Sequence, residues 1–246
     1  MRLVLLNGNS SPEITALMVA HARRVAAPGT AIGGITAPFG ARYVASRAAY
    51  AIAGHAALDA YAGIAAAGSA DAVILACFGD PGLAALREVE TVPVVGMAEA
   101  ACLTAAENGR RFAIVTGGYA WVPMLHEFVA GIGLAGQLAG VRAVAPTGGE
   151  IAADPEASAA LLAKACRDVA KETHADVVIL GGAGLAGIAP QVAAAAGVPV
   201  IDALAASVRY AEALLSASRV TARLAADAVE SVGLSPRLRA LLAQEG

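Results

Sequence analysis

The sequence is poor in charged, aromatic and cysteine residues, and each shortage argues against a class of function. Only 15% of the 246 residues are charged and 4% are aromatic, and the net charge is −3. Because the basic residues form no cluster, nucleic acid is not expected as a partner. Charges, glycines or prolines interrupt every alanine-rich stretch, so no membrane span is expected. The N-terminus lacks the long apolar region of a secretory signal, which predicts a cytoplasmic protein.

Cysteine and histidine are too few and too scattered to form a metal site. The three cysteines are Cys77, Cys102 and Cys166, an odd number at distant positions, as is typical of reduced thiols. The four histidines are equally dispersed, so no metal-ligand spacing occurs and no metal is predicted. Cys102 and Cys166 fall in the middle of predicted helices and are interpreted as core residues.

Apolar and small side chains are abundant instead, and they are arranged as two similar halves. Asp71 and Asp176 begin DAVILACFGDPG and DVVILGGAGLAG, which lie 105 residues apart. Pro93 and Pro199 follow at nearly the same spacing, which indicates a duplication, although chance likeness between βαβ units is the alternative. We therefore predict an α/β protein with two pseudo-symmetric, parallel-sheet (Rossmann-like) domains and an active site in the cleft between them. The predicted domains are 1–97 plus 205–246, and 98–204.

The first of these repeats places a thiol where α/β proteins bind ligands. Val73–Ala76 predicts a strand buried on both faces, and Cys77 follows at its carboxyl end. Asp80 and Pro81 predict the N-cap and first residue of a helix, whose N-terminus would favour a thiolate at Cys77. Further helices are expected over 41–67, from an Asp154 cap to Val169, and over 185–195.

Other loops carry polar groups at the ends of predicted strands. Asn9 and Ser10 follow the first strand, and Thr116-Gly117-Gly118 is the corresponding loop of the second half. Both loops can cap helices or can hold a carboxylate or carbonyl oxygen. Tyr43, Arg47 and Tyr50 share one face of the predicted 41–67 helix, which is either a solvated face or a wall of the cleft.

One motif suggests a different class of protein. Gly182, Gly184 and Gly187 form G-x-G-x-x-G after a strand, and Asp202 lies 20 residues beyond the first glycine, as in dinucleotide-binding domains. Too little chain follows the motif for a complete domain of that kind. The duplication explains the motif as the second copy of the Cys77 loop, so no nicotinamide or flavin cofactor is predicted.

Seven motifs in this order resemble the aspartate/glutamate/hydantoin racemase superfamily, and within it the hydantoin and allantoin racemase branch. The resemblance implies chemistry at an acidic carbon beside a carbonyl group, with no metal or organic cofactor. It also implies a small-molecule substrate and a homo-oligomer. The motifs are NGNS (7–10), PFG (38–40), ACFGDPG (76–82), VVGMAEAA (94–101), VTGG-x-x-W-x-PML-x-EF (115–128), LGGAGLAG (180–187) and GVPVID (197–202).

The same resemblance implies the site residues and exposes one departure. Members carry two cysteines that exchange protons on opposite faces of the reacting carbon. Here Cys77 occupies the first position and Gly182 the second. Tyr119 or a water molecule is a candidate for the missing acid. The substrate-binding residues implied with them are Asn9, Ser10, Phe39, Phe78, Gly79, Thr116, Gly117, Gly118, Tyr119 and Ala183.

The missing cysteine leaves three functions open. We predict a cofactor-independent racemase or isomerase in which Cys77 is the general acid/base. The first alternative is a one-cysteine decarboxylase or lyase, although such relatives keep the second cysteine and carry a hydroxyl-rich loop where Phe78-Gly79 stands here. The second alternative is a catalytically silent protein that binds a small molecule.

Overall fold

Two four-stranded parallel sheets with the same strand order form the framework of the protein. The computed structural model describes residues 1–68, 70–144, 155–217 and 231–243. The first sheet has the order β2-β1-β3-β4 and the second the order β6-β5-β7-β8. The predicted α/β fold with two similar parallel-sheet halves is therefore confirmed. The strands are β1 (Arg2–Asn7), β2 (Ala31–Thr36), β3 (Ala72–Leu75), β4 (Val94–Gly96), β5 (Phe112–Gly117), β6 (Leu138–Val144), β7 (Val177–Gly181) and β8 (Val200–Asp202).

Helices follow most of these strands and cover the sheets. The central strands β3 and β7 are buried along their whole length, because their Val, Ile and Leu side chains meet helices on both faces. No helix of the described residues is both long enough and apolar enough to cross a bilayer. The helices are α1 (Pro12–Val25), α2 (Arg47–Ala67), α3 (Leu83–Glu88), α4 (Met97–Ala106), α5 (Trp121–Gly131), α6 (Pro155–Thr173), α7 (Ala189–Ala196), α8 (Ala203–Ser216) and α9 (Pro236–Leu242).

Helices α4 and α8 join the two halves. Each follows the last strand of its sheet, packs against the other, and contacts strands of both sheets. Alanines such as Ala101 and Ala211 are fully buried there, and their small side chains allow the helices to approach closely. Helix α9 returns to the first half, where Leu238 and Leu241 pack in the cluster that contains Tyr61. The domain boundaries at 97/98 and 204/205 stay a prediction.

Three helices begin later than predicted. Helix α2 begins at Arg47, where the Ser46 hydroxyl accepts a hydrogen bond from the Ala49 amide, so residues 41–46 are not helical. Tyr43 therefore does not share a helical face with Arg47. Helix α3 begins at Leu83 rather than at Pro81, and α7 begins at Ala189 after a 3₁₀ turn over Ala183–Leu185. The predicted Asp154 cap lies outside the described residues.

Candidate active site

A cavity of about 440 Å³ lies at the carboxyl ends of four strands, two from each sheet. It is lined by residues that follow or end β1, β3, β5 and β7. They are Asn9, Cys77 with Phe78, Thr116 with Gly117, and Gly182–Leu185. Since the carboxyl ends of parallel strands are the usual ligand sites of α/β sheets, this cavity is the candidate active site. The predicted meeting of the Cys77 and Gly182 loops in one cleft is confirmed.

Cys77 is a buried thiol in the wall of this cavity. Only 5% of the residue is exposed. Burial, and to a smaller extent the nearby Asp80 carboxylate, raises the pKa of the thiol from 9.0 to about 12. The expected helix N-terminus does not oppose this shift, because α3 begins only at Leu83. Cys77 is therefore protonated at neutral pH, and the expectation of a stabilised thiolate is wrong.

Asp80 caps a helix, but not the helix that the sequence predicts. Its two carboxylate oxygens accept hydrogen bonds from the amides of Ala98 (2.9 Å) and Glu99 (2.8 Å) in the first turn of α4. Burial raises the pKa of this carboxyl from 3.8 to about 7, against the lowering effect of those two hydrogen bonds. A Cβ atom on Gly96 would overlap the Asp80 carboxylate, so glycine is required beside it.

The loop after β1 is held by side-chain amides. Asn7 is fully buried and donates from Nδ2 to Asn9 Oδ1 at 3.0 Å, while the Ser11 amide donates to the same oxygen at 3.0 Å. Ser10 points away from the cavity, because its hydroxyl donates to the Gly40 carbonyl. Asn9 therefore lines the cavity as expected, and Ser10 does not.

Aromatic side chains cross between the halves at the edge of the cavity. Phe78 lies where a Cβ atom on Gly181 would stand, and Trp121 lies against Gly79. The indole Nε1 of Trp121 donates to the Val44 carbonyl at 2.8 Å, which ties residues 41–46 to α5. Both rings line the cavity and can cover the faces of a planar ligand.

Tyrosines bind the backbone of the two glycine loops. The Tyr43 hydroxyl donates to the Gly117 carbonyl at 2.8 Å, and the Tyr50 hydroxyl donates to the Gly79 carbonyl at 2.7 Å. Gly79 and Gly118 have positive φ angles of 108° and 85°, and added side chains would meet Trp121 and Tyr43 respectively. These two glycines shape the loops but do not line the cavity, contrary to expectation.

Two predicted aromatic site residues also lie elsewhere. Tyr119 is 71% exposed and does not line the cavity. Phe39 is 38% exposed and packs edge-on against His55, with 5.1 Å between ring centroids. Tyr119 therefore does not reach the place of the missing acid. The other predicted residues, Phe78, Thr116, Gly117 and Ala183, all line the cavity.

Several lining residues were missed in the sequence. Glu13 accepts hydrogen bonds from the Ser11 hydroxyl at 2.7 Å and from Arg42 at 3.3 Å, and all three residues line the cavity. The Ser11 hydroxyl, the largest lowering influence, keeps the pKa of Glu13 below its usual value, with Arg42 acting in the same direction. The Glu13 and Arg42 side chains are largely exposed, so they form the outer rim of the cavity. In the sequence, the acidic residue in the first turn of α1 was the signal that could have indicated this rim. Ile14, Tyr43, Val44, Trp121, Gly184 and Leu185 complete the lining.

Gly182 leaves its side of the cavity without an acid. Its φ of 145° is a conformation that other residues adopt with strain, although a Cβ atom there would meet only Leu185 at 3.6 Å. None of the four lining residues over Gly182–Leu185 has a titratable side chain. The position predicted for a second cysteine thus faces the same cavity as Cys77 but carries no proton donor of its own.

The rest of the glycine motif has a structural role. The Gly187 amide donates to the Asp202 carboxylate at 2.9 Å, and the Ala205 amide donates to its other oxygen, which caps α8. His21 Nε2 lies 3.0 Å from the same carboxylate. Burial works to raise the pKa of Asp202, but the His21 interaction and the two amides bring it below its usual value. These internal bonds account for Asp202, which supports the interpretation as a duplicated loop rather than a dinucleotide site.

Comparison with known proteins agrees with this architecture. The Asp/Glu/Hydantoin racemase family profile matches residues 3–211. A hydantoin racemase of Paenarthrobacter aurescens is 34% identical over 91% of this chain and 94% of its own. Solved structures of allantoin racemase from Pseudomonas fluorescens (35% identity, TM-score 0.84, covering 89% of this chain and 92% of that one) and Klebsiella pneumoniae (30% identity, TM-score 0.87, covering 98% of each) superpose on it.

More distant structures share the fold alone. Arylmalonate decarboxylase is 19% identical, with a TM-score of 0.61 over 87% of this chain and 92% of that one. The family profile covers most of the chain, and the hydantoin and allantoin racemases match it over nearly their whole length. The chain therefore belongs to the Asp/Glu/hydantoin racemase family.

Proposed function

We propose that this protein is a cofactor-independent racemase of 5-substituted hydantoins or of allantoin, with Cys77 as the proton carrier on one face of C5. The observation that carries the proposal is a buried thiol in a cavity formed by both sheets, in a chain whose relatives act on such rings. The apolar walls, with Phe78 and Trp121, suit a small planar ring, and the volume of about 440 Å³ accommodates one. A cytoplasmic homo-oligomer is part of the same proposal.

The reaction needs a base on one face and an acid on the other. C5–H is acidic because the electron pair left by the proton moves onto the adjacent carbonyl oxygen as an enolate. With the enantiomer whose C5–H faces Cys77, the thiolate takes the proton and becomes the thiol. A solvent water molecule then gives a proton to C5 from the Gly182 side and leaves as hydroxide. The opposite enantiomer follows the reverse path, in which the Cys77 thiol donates.

The high pKa of Cys77 keeps this group in its protonated form at rest. With a pKa of about 12, roughly one molecule in 10⁴ carries a thiolate at pH 8. Abstraction by Cys77 therefore requires a minor protonation state of the free protein, and the rate of proton exchange should rise with pH. Protonation of the enolate by the Cys77 thiol needs no prior deprotonation.

The test is proton exchange together with inversion. Single enantiomers of 5-benzylhydantoin and of allantoin are incubated with the protein in D₂O, and loss of the C5–H signal is compared with loss of optical activity. We expect both above the spontaneous rate, lost in Cys77→Ala and kept in Cys166→Ala. The control thiol is fully buried on α6, outside the cavity. Exchange without inversion, or an active Cys77→Ala variant, would refute the proposal.

A second candidate function is decarboxylation of a disubstituted malonate. The single high-pKa thiol favours it, since loss of CO₂ generates the enolate without a base and only one acid is then needed. Release of CO₂ from an arylmethylmalonate, with a product of one handedness, would establish this activity. If the same preparation binds hydantoin but shows neither CO₂ release nor proton exchange, the protein is a catalytically silent binding protein.

A further inference from the structure

We propose that the side-chain amide of Asn9 donates the hydrogen bond that stabilises the enolate oxygen, and that Asn7 is its positioning residue. The assignment rests on the proposed function and goes beyond it, because it names the group that receives the developing negative charge. Cys77 manages the proton in that reaction, but a separate donor must face the oxygen on which charge accumulates.

The hydrogen bonds of Asn9 determine which end of its amide is available. The Ser11 backbone amide, which can only donate, lies 3.0 Å from Asn9 Oδ1. Asn7 Nδ2 donates to the same oxygen at 3.0 Å. The oxygen is therefore used inside the loop, and Nδ2 is the atom left for the cavity. Among the described residues, Asn9 Nδ2 has no hydrogen-bond acceptor, although Asn9 is only 6% exposed and lines the cavity.

Asn7 holds Asn9 in this orientation. It is the last residue of β1 and is fully buried. Its Oδ1 accepts from the Asn9 backbone amide at 3.1 Å, which fixes the Asn7 amide in turn. Its Nδ2 also lies 2.9 Å from Thr15 Oγ1 and 3.2 Å from the Ser11 carbonyl. Because a rigid strand end supports it, the donor is oriented before any ligand binds.

A neutral, buried donor suits the enolate better than the charged groups at the rim. Arg42 also lines the cavity, but its side chain is 75% exposed and is paired with Glu13. Its charge is therefore screened by solvent, whereas the Asn9 amide lies in the buried wall of the cavity, where screening is weaker. Loss of one such oriented donor typically lowers kcat by about 10²- to 10³-fold.

The first test replaces only the donor. Asn9→Asp keeps an oxygen for Ser11 and Asn7 but presents an acceptor to the enolate. We expect the exchange rate of 5-benzylhydantoin to fall by at least about 10²-fold. Binding of 5,5-dimethylhydantoin, which has no C5–H to lose, should change by less than tenfold. Asn9→Ala should likewise slow proton exchange much more than it weakens ring binding, and it adds no charge. Asn108→Asp, on an exposed turn, is the matched control and should stay within threefold of the wild type.

The second test asks whether Asn7 acts through Asn9. Asn7→Ala should lower the exchange rate, and the Asn7→Ala/Asn9→Ala pair should exchange no more slowly than Asn9→Ala alone. Additive losses would overturn the positioning role. The donor assignment is overturned if the wild type exchanges the proton and Asn9→Asp does so at a rate within threefold of it. It is also overturned if the exchange rate and the affinity for the ring fall equally. Absence of exchange in the wild type would instead overturn the proposed function on which the assignment depends.

Discussion

The protonation state of Cys77 can be measured by its rate of alkylation. A rise in pKa from 9.0 to about 12 lowers the thiolate fraction about 10³-fold near neutral pH. Each thiolate becomes a stronger nucleophile, which recovers about 15- to 30-fold of that loss. Cys77 should therefore react roughly 30- to 60-fold more slowly than an ordinary thiol, before any steric hindrance.

Asp80→Asn is the informative perturbation. Burial is the larger cause of the raised Cys77 pKa and Asp80 the smaller, so the carboxylate accounts for less than half of about three units. Its removal should increase the thiolate fraction by less than about 30-fold. Because the pKa of Asp80 is itself about 7, the difference between variant and wild type should be present at pH 9 and absent at pH 6.

The assay is alkylation by limiting iodoacetamide from pH 6 to pH 10, with each cysteine followed by mass spectrometry. Cys77 should react fastest of the three, because Cys102 and Cys166 are fully buried and only Cys77 lines the cavity. Its rate should climb about tenfold per pH unit above pH 8, where Asp80 is ionised, and more slowly near pH 7, where Asp80 ionises and opposes the thiolate. A plateau between pH 8 and pH 10, or a pH 9 rate that Asp80→Asn leaves unchanged, would refute the assignment of Cys77 as a resting acid.

Three further variants test the surroundings of the site. Gly182→Cys should raise the rate of inversion relative to that of proton exchange. The φ of 145° at this position should cost the variant about 1–3 kcal/mol of stability, measured by chemical denaturation. A folded variant with its thiol in the cavity and no gain in inversion would contradict the two-faced geometry. Asp202→Asn should lower stability by about 1–3 kcal/mol at pH 7, because it removes the lowered-pKa carboxylate beside His21. The wild type loses the stability that this carboxylate contributes as pH falls below 4, so the melting curves of variant and wild type should converge in acid. Trp121→Phe deletes the bond to Val44 and should raise KM more than it lowers kcat, as measured by steady-state polarimetry; an unchanged KM would mean that residues 41–46 do not depend on this bond.

The stability of the protein should also depend on the protonation of Asp80. Its pKa is raised from 3.8 to about 7 on folding, so the native state holds a proton that the unfolded chain releases. Stability therefore falls as pH rises between those values, by about 4 kcal/mol at most. Asp80→Asn should remove this decline and lose about 1 kcal/mol of helix capping. Denaturant midpoints at pH 5 and pH 8 check both signs, and a wild type that gains stability across this range would contradict the raised pKa.

The sheets were predictable because their signals are local and repeated. Apolar runs such as Val73–Ala76 and Val177–Leu180 predict buried strands, and their common spacing predicts two similar halves. The position of Cys77 at a strand end followed directly. Gly182 was placed in the same cavity by the same repeat. Both expectations depended on short stretches of sequence that determine their own structure.

The errors arose where distant residues decide the outcome. Asp80-Pro81 has the sequence of a local helix cap, but its carboxylate binds amides of α4, 18 and 19 residues away. Residues 41–46 contain no helix breaker, yet Val44 is bound by the Trp121 indole instead. Tyr119 and Trp121 stand two positions apart in one motif, and only the packing of α5 buries the second. A motif names such aromatic residues without saying which one faces the cavity.

The two halves place equivalent carboxylates differently, and this makes the two faces of the cavity chemically unequal. In the sheet pairing, Leu75 lies beside Gly96 and Leu180 beside Asp202, so Asp202 occupies the position of Gly96 and caps its own helix. Asp80 must therefore reach across to cap α4, which brings its charge next to Cys77. At the corresponding place after Gly182 stands Leu185, which has no charge. A thiol introduced at 182 would lack that repulsion and so would have a lower pKa than Cys77, other surroundings being equal. In that variant we therefore expect Cys77 to rest as the acid and the introduced thiol to act as the base.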